Sequence, residues 1–335
     1  GVFAGKHKIV HPKNWSEFPL ERKTLPEYFQ NLGFHTLLGS CVSRVTPAFG
    51  HLRGIDRFLY HFPSYSEDTY HPALWIDELT GHLESHYYSK TFSYFHFPDP
   101  HPIWDNPKES RYFSLGRSGS TQLNLKRLLR GKSSSSELRA SCEQLYLLKL
   151  AEIDRTLGTL FEYVEREFGN DALVIATSDH GLRMPYEAEY ERNHPYLKDR
   201  RVQIPLFARG GTIPPLKFEG PCSPNLDIPK ILADHFELVW DEPMDGVNVT
   251  TNGQSRDVVV SESFYQGVYE LAVRGLGHIL IQKFTVDDVQ IRLMETQPHY
   301  VALFKTGETD YSDVNNLAAV SPNIVQALQE YSRRH

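Results

Sequence analysis

The stretch Ala172-Leu173-Val174-Ile175-Ala176-Thr177-Ser178-Asp179-His180-Gly181 is an apolar run that ends in a carboxylate, an imidazole and a glycine. A continuous apolar and β-branched run is typical of a strand covered on both faces, as in the parallel sheets of α/β proteins. Ligands of open α/β sheets bind beyond the carboxyl ends of the strands. The stretch therefore predicts a buried strand that delivers Asp179 and His180 to a functional site.

A carboxylate beside a neutral imidazole presents lone pairs that suit a divalent cation. Gly181 would let the chain turn sharply without a side chain crowding the ion. The alternative is an ordinary strand end, whose aspartate caps the following segment. The motif alone does not decide between these two interpretations.

Length and composition bound the class of protein. The 335 residues are 40% hydrophobic and 23% charged, which is an ordinary globular composition with enough apolar material for a large core. The net charge of −7 is mild and spread out, so we expect no nucleic-acid partner. No apolar run approaches the length of a transmembrane helix, so we expect no membrane span.

The cysteines and the glycosylation sequons give little information on compartment. Cys41, Cys142 and Cys222 are far apart and odd in number, which argues against a zinc site or a disulfide framework. The sequons at Asn14 and Asn248 permit secretion without indicating it. Because the chain opens with glycine rather than methionine, we expect a processed product or a natural N-terminus further upstream.

Helices and strands are predicted to alternate through most of the chain. Thr24 and Glu27 form a capping-box pattern and Gly33 ends the helix that they begin, and a strand over 34–39 follows at once. Apolar residues recur at three- and four-residue steps over 137–168, which predicts a long amphipathic helix leading into the opening strand. This alternation indicates an α/β class with a mostly parallel sheet flanked by helices.

The C-terminal part has a different pattern of secondary structure. Short strands follow one another without helices between them, and a final helix over 321–333 should lie across their sheet. We therefore predict an α/β domain over 1–249 and a small antiparallel α+β subdomain over 250–335. Strands and a helix are also predicted at 91–97, 202–208 and 225–236 in the first domain, with the later strands at 257–262, 269–274, 278–284 and 299–304.

Two further segments carry candidate site residues. The strand over 91–97 ends in Pro98-Asp99-Pro100-His101-Pro102, where the prolines around His101 restrict the backbone and hold the imidazole at a strand's carboxyl end. The polar stretch 186–201 follows the metal-ligand candidates and contains His194 and Lys198.

These segments, taken in order, resemble the sulfatase family of the alkaline-phosphatase superfamily over nearly the whole chain. The similarity is most specific at five places: 24–36, 53–58, 92–102, 177–181 and 309–317. They are similar to the family's helix and strand that precede its Gly-Lys-Trp-His segment, its Arg-Gly-Phe-Asp turn, its Pro-His-x-Pro strand end, its Asp-His-Gly core and its closing Asn-Leu segment.

The resemblance implies a metal-dependent hydrolase of sulfate monoesters, acting on a small-molecule or carbohydrate sulfate ester. Asp179 and His180 would be ligands of Ca²⁺ foremost, or of Mg²⁺, and the cation would withdraw charge from an ester oxygen. His101 would contact the sulfate or protonate the leaving oxygen. His194 falls where the family places a sulfate-binding lysine, and Lys198 is a further sulfate-binding candidate. The resemblance favours a secreted, periplasmic or lysosomal location, with a cytoplasmic one left open.

The sequence departs from the family at its nucleophile. The family's paired aspartates and its Cys-x-Pro-x-Arg motif, whose cysteine becomes formylglycine, do not occur in residues 1–335 and are expected upstream of Gly1. Cys41 is no replacement, because the proline is missing and Arg44 comes one residue too soon. We therefore predict that the isolated chain is inactive.

Two alternatives remain at this stage. One is a phosphomonoesterase, phosphodiesterase or phosphonate hydrolase of the same fold, with His180 and His194 around Zn²⁺ or Mn²⁺. The other is a non-catalytic, sulfatase-like protein that binds anions. Neither the identity of the substrate nor the oligomeric state follows from the sequence.

Overall fold

The computed structural model describes residues 20–40, 45, 52–60, 72–97, 136–182, 195–213, 220–241, 243–251, 256–265, 267–287, 292–293 and 297–332. The chain divides into two compact units. The first comprises Glu17–Ala172 with Arg183–Tyr190, and the second comprises Gly1–Ser16, Leu173–Leu182 and Glu191–His335. The domain boundary between residues 249 and 250 stays a prediction.

The first unit contains a three-stranded parallel sheet. Its elements are α1 (Leu25–Asn31), β1 (His35–Ser40), β2 (Arg57–Tyr60), α2 (Pro72–Ser85), β3 (Thr91–His96) and α3 (Ser136–Phe168). The predicted capping box begins α1: Glu27 N donates to Thr24 Oγ1 at 3.3 Å, and Thr24 N donates to the Glu27 carboxylate at 2.7 Å. Both reciprocal bonds satisfy backbone donors that the first helical turn leaves without partners.

Strand β1 lies between β2 and β3 and is parallel to both. A central strand of a parallel sheet is covered on both faces, and β1 is buried from Thr36 to Ser40. The helices α2 and α3 contribute Ile76, Leu79 and Leu160 to a core cluster with Leu37 of β1. This arrangement agrees with the predicted parallel sheet flanked by helices.

Helix α2 lies between β2 and β3, where no helix was predicted from the sequence. It begins at Pro72, which suits a helix start, and its buried Ile76 and Leu79 are three residues apart. The residues that follow the helix, Tyr87-Tyr88-Ser89-Lys90, have no helical pattern and obscured this short period. The apolar residues of α2 do follow a helical spacing, but this spacing extends over only about four turns.

The second unit contains an antiparallel pair of strands, several helices and a larger antiparallel sheet. Its elements are β4 (Leu173–Thr177), α4 (Asp199–Val202), β5 (Leu206–Gly210), α5 (Pro224–His235), β6 (Val258–Tyr265), β7 (Val268–Gly275), β8 (His278–Asp287), β9 (Arg292–Leu293), β10 (Tyr300–Lys305) and α6 (Pro322–Ser332). The strands β10, β8, β7 and β6 are antiparallel neighbours in that order. Leu328 of α6 is fully buried in the core cluster with Leu271 and Val273 of β7, as expected of a helix that covers this sheet.

Strand β4 differs from its prediction. It pairs antiparallel with β5, from Leu173 opposite Gly210 to Thr177 opposite Leu206, and its residues are half-buried up to Ala176. An apolar run signals a strand through its composition, but it does not specify the direction of the neighbouring strand. The strand predicted over 202–208 also begins later, because α4 extends to Val202.

A buried ion pair stabilises the start of α5. The Asp227 side chain is fully buried, and its two oxygens accept hydrogen bonds from Ser223 N at 2.7 Å and Val247 N at 2.8 Å. The Arg256 guanidinium contacts both carboxylate oxygens and also donates to Asp245 O at 2.8 Å. Every oxygen of this buried charge therefore has partners.

Candidate functional site

Asp179 and His180 lie immediately beyond the end of β4. Their side chains are 56% and 61% exposed, and Asp179 Oδ2 lies 3.5 Å from His180 Nε2. The other carboxylate oxygen, Oδ1, accepts a hydrogen bond from His180 N at 2.8 Å. This backbone contact leaves Oδ2 directed at the imidazole.

The second ring nitrogen of His180 determines its tautomer. Nδ1 lies 2.9 Å from Gly181 O, and a carbonyl oxygen only accepts hydrogen bonds. Nδ1 therefore carries the proton in the neutral ring, and Nε2 presents its lone pair beside the Asp179 carboxylate. Metal-bound histidines in proteins usually donate their other N–H in this way.

The distance between the two ligand atoms suits one shared ion. Metal–ligand bonds of about 2.0 to 2.5 Å place neighbouring ligand atoms about 3 to 3.5 Å apart. The Asp179–His180 separation of 3.5 Å is at the upper end of that range. The pair therefore fits two ligands of a divalent cation.

Gly181 is required by a close approach between backbones. Its N–H donates to Arg201 O at 2.6 Å, and an added Cβ would lie 2.0 Å from Arg200 O. The sequence suggested that glycine serves the turn and the space for an ion. The structure shows in addition that Gly181 allows the loop after β4 to contact the backbone of residues 200–201.

Two more contacts hold this loop. Thr177 Oγ1 donates to Pro205 O at 2.8 Å, and Asn225 Nδ2 donates to Asp179 O at 3.4 Å. Asn225 is an exposed residue in the first turn of α5. Its role was not foreseen from the sequence, because an asparagine there looks like an ordinary helix-capping residue.

Lys198 is the third candidate residue that the structure describes. It is half-buried, it precedes α4, and its carbonyl accepts from Arg201 N at 3.0 Å. Since Arg201 O in turn accepts from Gly181 N, the segment of Lys198 is joined to the loop of Asp179 and His180. His101 and His194 lie outside the described residues, so their roles stay predictions.

Glu270 and Arg274 of β7 hold the Lys198 segment in place. The Glu270 carboxylate, which is almost fully buried, accepts from Leu197 N at 2.6 Å and Tyr196 N at 3.0 Å. Arg274 donates to Leu197 O at 2.5 Å and to Asp199 Oδ1 at 3.0 Å. The only sequence signal for this role was a charged pair inside an otherwise apolar strand.

We expect Glu270→Gln to destabilise the protein by about 1–3 kcal/mol, because the amide replaces one acceptor oxygen and leaves a buried N–H without a partner. Denaturant unfolding measures this change, and faster hydrogen exchange at Tyr196 and Leu197 locates it. The exposed Glu167, changed to Gln in the same way, serves as control and should stay within about 0.5 kcal/mol. Unchanged exchange at both amides would show that Glu270 does not hold this segment.

Neither described cysteine has the character of an activated nucleophile. Burial, and then the charge of Glu143, raises the pKa of the Cys142 thiol to about 11. Burial, followed by the charge of Asp227, also raises the pKa of Cys222. Reactive thiols have lowered pKa values instead. Cys41 lies outside the described residues.

A known protein family and several solved structures are similar to this chain. The family model described as Sulfatase matches residues 3–236. The structure of BT4656 in complex with its substrate D-glucosamine-2-N,6-O-disulfate is similar at a TM-score of 0.69 and 15% identity, covering 99% of this chain and 85% of that one. The structure of yidJ from Bacteroides fragilis, a protein assigned as a sulfatase, is similar at a TM-score of 0.63 and 11% identity, covering 94% and 77%. No curated protein matches significantly.

The chain belongs to the sulfatase family, whose model covers well over half of it. The two structural likenesses, with the parallel sheet and the C-terminal antiparallel sheet, confirm the predicted alkaline-phosphatase-like α/β fold. None of the helices in the described part of the chain combines the length and apolarity that crossing a membrane requires.

Proposed function

We propose that this protein hydrolyses sulfate monoesters with the help of a divalent cation held by Asp179 and His180. The observation that carries the proposal is the 3.5 Å pairing of a carboxylate oxygen with an imidazole nitrogen at a strand end of a sulfatase-family chain. Both side chains are more than half exposed, so an ion and a substrate can reach them.

Asp179, His180 and Lys198 have different proposed roles. Asp179 supplies a negative oxygen, and His180 supplies a neutral nitrogen that its bond to Gly181 O keeps in the required tautomer. A bound cation would withdraw charge from an oxygen of the sulfate group. Lys198 is joined through the backbone to the same loop, and its ammonium would neutralise the sulfate charge.

His101 and His194 complete the proposed site. His101 would contact the sulfate or give a proton to the oxygen of the leaving alcohol. His194 would bind the sulfate as an imidazolium, a role for which a cation is needed. Both assignments rest on the family motifs and not on described coordinates.

The nucleophile is proposed to come from a segment that is not among residues 1–335. No Cys-x-Pro-x-Arg motif occurs in the sequence, and the described thiols have raised pKa values. We propose a formylglycine in the family's motif, upstream of Gly1. Its hydrated form, a gem-diol, would attack sulfur through one hydroxyl oxygen while the alcohol leaves with a proton, and the second hydroxyl would then expel sulfate and restore the aldehyde. The chain 1–335 alone would then bind the cation weakly and turn over nothing.

A carbohydrate sulfate is the proposed substrate. BT4656, whose fold this chain shares, has a disulfated glucosamine as its substrate. Ca²⁺ is the proposed ion, on the basis of the family, with Mg²⁺ next. The imidazole ligand would also suit Zn²⁺ or Mn²⁺, which the phosphoester alternative would use.

The test uses the protein with the upstream segment restored, assayed on an aryl sulfate and on glucosamine 6-sulfate with Ca²⁺. We expect Asp179→Ala to lower kcat/KM by about 10³-fold, because a catalytic cation contributes several kcal/mol to the transition state. His278→Ala, which removes a ring that contacts its own neighbour Leu276 O, should leave the rate unchanged.

Three results would contradict the proposal. Faster turnover of an aryl phosphate than of the sulfate, with Zn²⁺ or Mn²⁺ preferred, would favour the phosphoester hydrolase. Anion binding without turnover of either ester would favour the non-catalytic protein. Full activity of Asp179→Ala would remove the cation site from the mechanism.

A further inference from the structure

Three histidines converge in the first unit. His35, His82 and His86, here called the histidine cluster, each offer a ring nitrogen, and these nitrogens all lie within 4.8 Å of one another. The ring centroids are 5.0 Å apart for His35–His82, 4.0 Å for His35–His86 and 4.4 Å for His82–His86. Among the described residues, no other group of three or more histidine, cysteine or acidic ligands comes this close.

Well-packed elements bring these rings together. His35 is the first residue of β1, and its N–H donates to Lys90 O at 2.8 Å. His82 lies on α2, three residues after the buried Leu79, so it shares the face that packs on the core. His86 follows four residues after His82, directly beyond the end of α2 at Ser85. The cluster therefore stands on a central strand and a packed helix.

His82 is an unusual core residue. It is fully buried, and neither of its ring nitrogens has a hydrogen-bond partner among the described residues. The buried Nδ1 of His35 also has none there. Burying a polar group without a partner costs about 1–3 kcal/mol, so such groups in a native core call for an explanation such as an ion.

His86 is oriented as a metal ligand usually is. Its Nδ1 lies 2.9 Å from His82 O, and the carbonyl can only accept, so Nδ1 carries the proton. Nε2 of the neutral ring then keeps its lone pair. A ligating histidine commonly donates its other N–H to a backbone carbonyl in this manner.

The surroundings of His82 disfavour the charged form of its ring. Burial lowers the pKa of His82 to about 4, with further lowering by His86, His35 and Arg57, against a rise from Asp56. A neutral imidazole at physiological pH is the form that coordinates a metal.

We propose that the histidine cluster is a binding site for a transition-metal cation of the Zn²⁺ type, which joins β1 to α2. Tetrahedral coordination at about 2.0–2.1 Å places ligand nitrogens about 3.4 Å apart, within reach of small ring movements from an outer limit of 4.8 Å. Three nitrogen ligands favour Zn²⁺, Co²⁺, Ni²⁺ or Cu²⁺ over Ca²⁺ and Mg²⁺, which prefer oxygen. Water would take the fourth position.

The test is a titration of the full chain with Co²⁺, followed by visible absorption, and then with Zn²⁺ in competition. We expect one equivalent of Co²⁺ to give the absorption of a four-coordinate nitrogen site and one equivalent of Zn²⁺ to abolish it. His35→Gln, His82→Gln and His86→Gln should each weaken binding by more than about 100-fold, which exceeds the loss caused by removing a group that only hydrogen-bonds to a ligand. His278→Gln, outside the cluster, should bind as the wild type does.

His82→Leu separates metal binding from folding. An apolar side chain in this buried position removes two unpartnered nitrogens, so the metal-free variant should have a Tm equal to or above that of the metal-free wild type. Excess Zn²⁺ should raise the Tm of the wild type by several degrees and leave His82→Leu unchanged. An absence of saturable Co²⁺ binding, or equal binding by the cluster variants, would overturn the proposal. Neither result depends on sulfate ester hydrolysis or on Asp179.

Discussion

Asp227→Ala is expected to lower the free energy of unfolding by about 3–5 kcal/mol, because it leaves the buried Arg256 guanidinium without its counter-charge. The variant also deprives Ser223 N and Val247 N of the carboxylate oxygens that they now contact at 2.7 and 2.8 Å. The Asp227 side chain is fully buried and that of Arg256 is 11% exposed, so water cannot replace the lost partner. Denaturant unfolding of the full chain measures the change.

Lys230→Ala, on the same helix, is the matched control. Lys230 pairs with Asp234 at the surface, where both side chains are more than a third exposed, and such pairs contribute about 0–1 kcal/mol. Arg256→Ala should approach the loss seen for Asp227→Ala, since it leaves the buried carboxylate without its counter-charge. If Asp227→Ala cost no more than Lys230→Ala, the ion pair would not stabilise α5.

Gly181→Ala is expected to weaken the proposed cation binding at Asp179 and His180 by about 10- to 100-fold, the usual loss of metal affinity when a contact that supports the ligands is removed. An added methyl group would lie 2.0 Å from Arg200 O, so the loop must move away from residues 200–201. That movement breaks the Gly181–Arg201 hydrogen bond and displaces both ligand side chains. A Ca²⁺ titration that follows the His180 ring signals by NMR measures the change.

Gly158→Ala controls for the substitution itself. Gly158 lies within α3 with nothing within 4 Å of an added Cβ, so alanine should stabilise the helix by about 0.5–1 kcal/mol and leave cation binding unchanged. Wild-type Ca²⁺ affinity in Gly181→Ala would show that the close approach to residue 200 does not position the ligands.

The elements predicted best from the sequence are those with local signals. The capping box at Thr24, the apolar repeat of α3 and the strands β6, β7, β8 and β10 each depend on residues only a few positions apart. The structure places them within a few residues of prediction, and it adds the two-residue strand β9, which was not predicted. The candidate ligands Asp179 and His180 were found for the same reason, since they are adjacent in a short motif.

The contacts missed from the sequence join residues far apart in the chain. Glu270 holds the Lys198 segment across more than seventy positions, a contact that no spacing rule predicts. The histidine cluster brings His35 to His82 of α2, a helix that was not predicted from the sequence, and to His86 directly after that helix. A polar side chain in a strand or helix shows its partner only once the elements are packed.

The sequence by itself determined that Asp179 and His180 follow a strand, and that the chain alternates helices with strands before a C-terminal antiparallel sheet. Periodicity and capping encode these features through interactions within a few residues. Only the tertiary structure decided that β4 pairs antiparallel with β5. It also decided that a hydrogen bond of 2.6 Å from Gly181 N to Arg201 O holds the loop of Asp179 and His180. Strand partners and close backbone approaches depend on how distant segments pack, and an apolar run is compatible with several such arrangements.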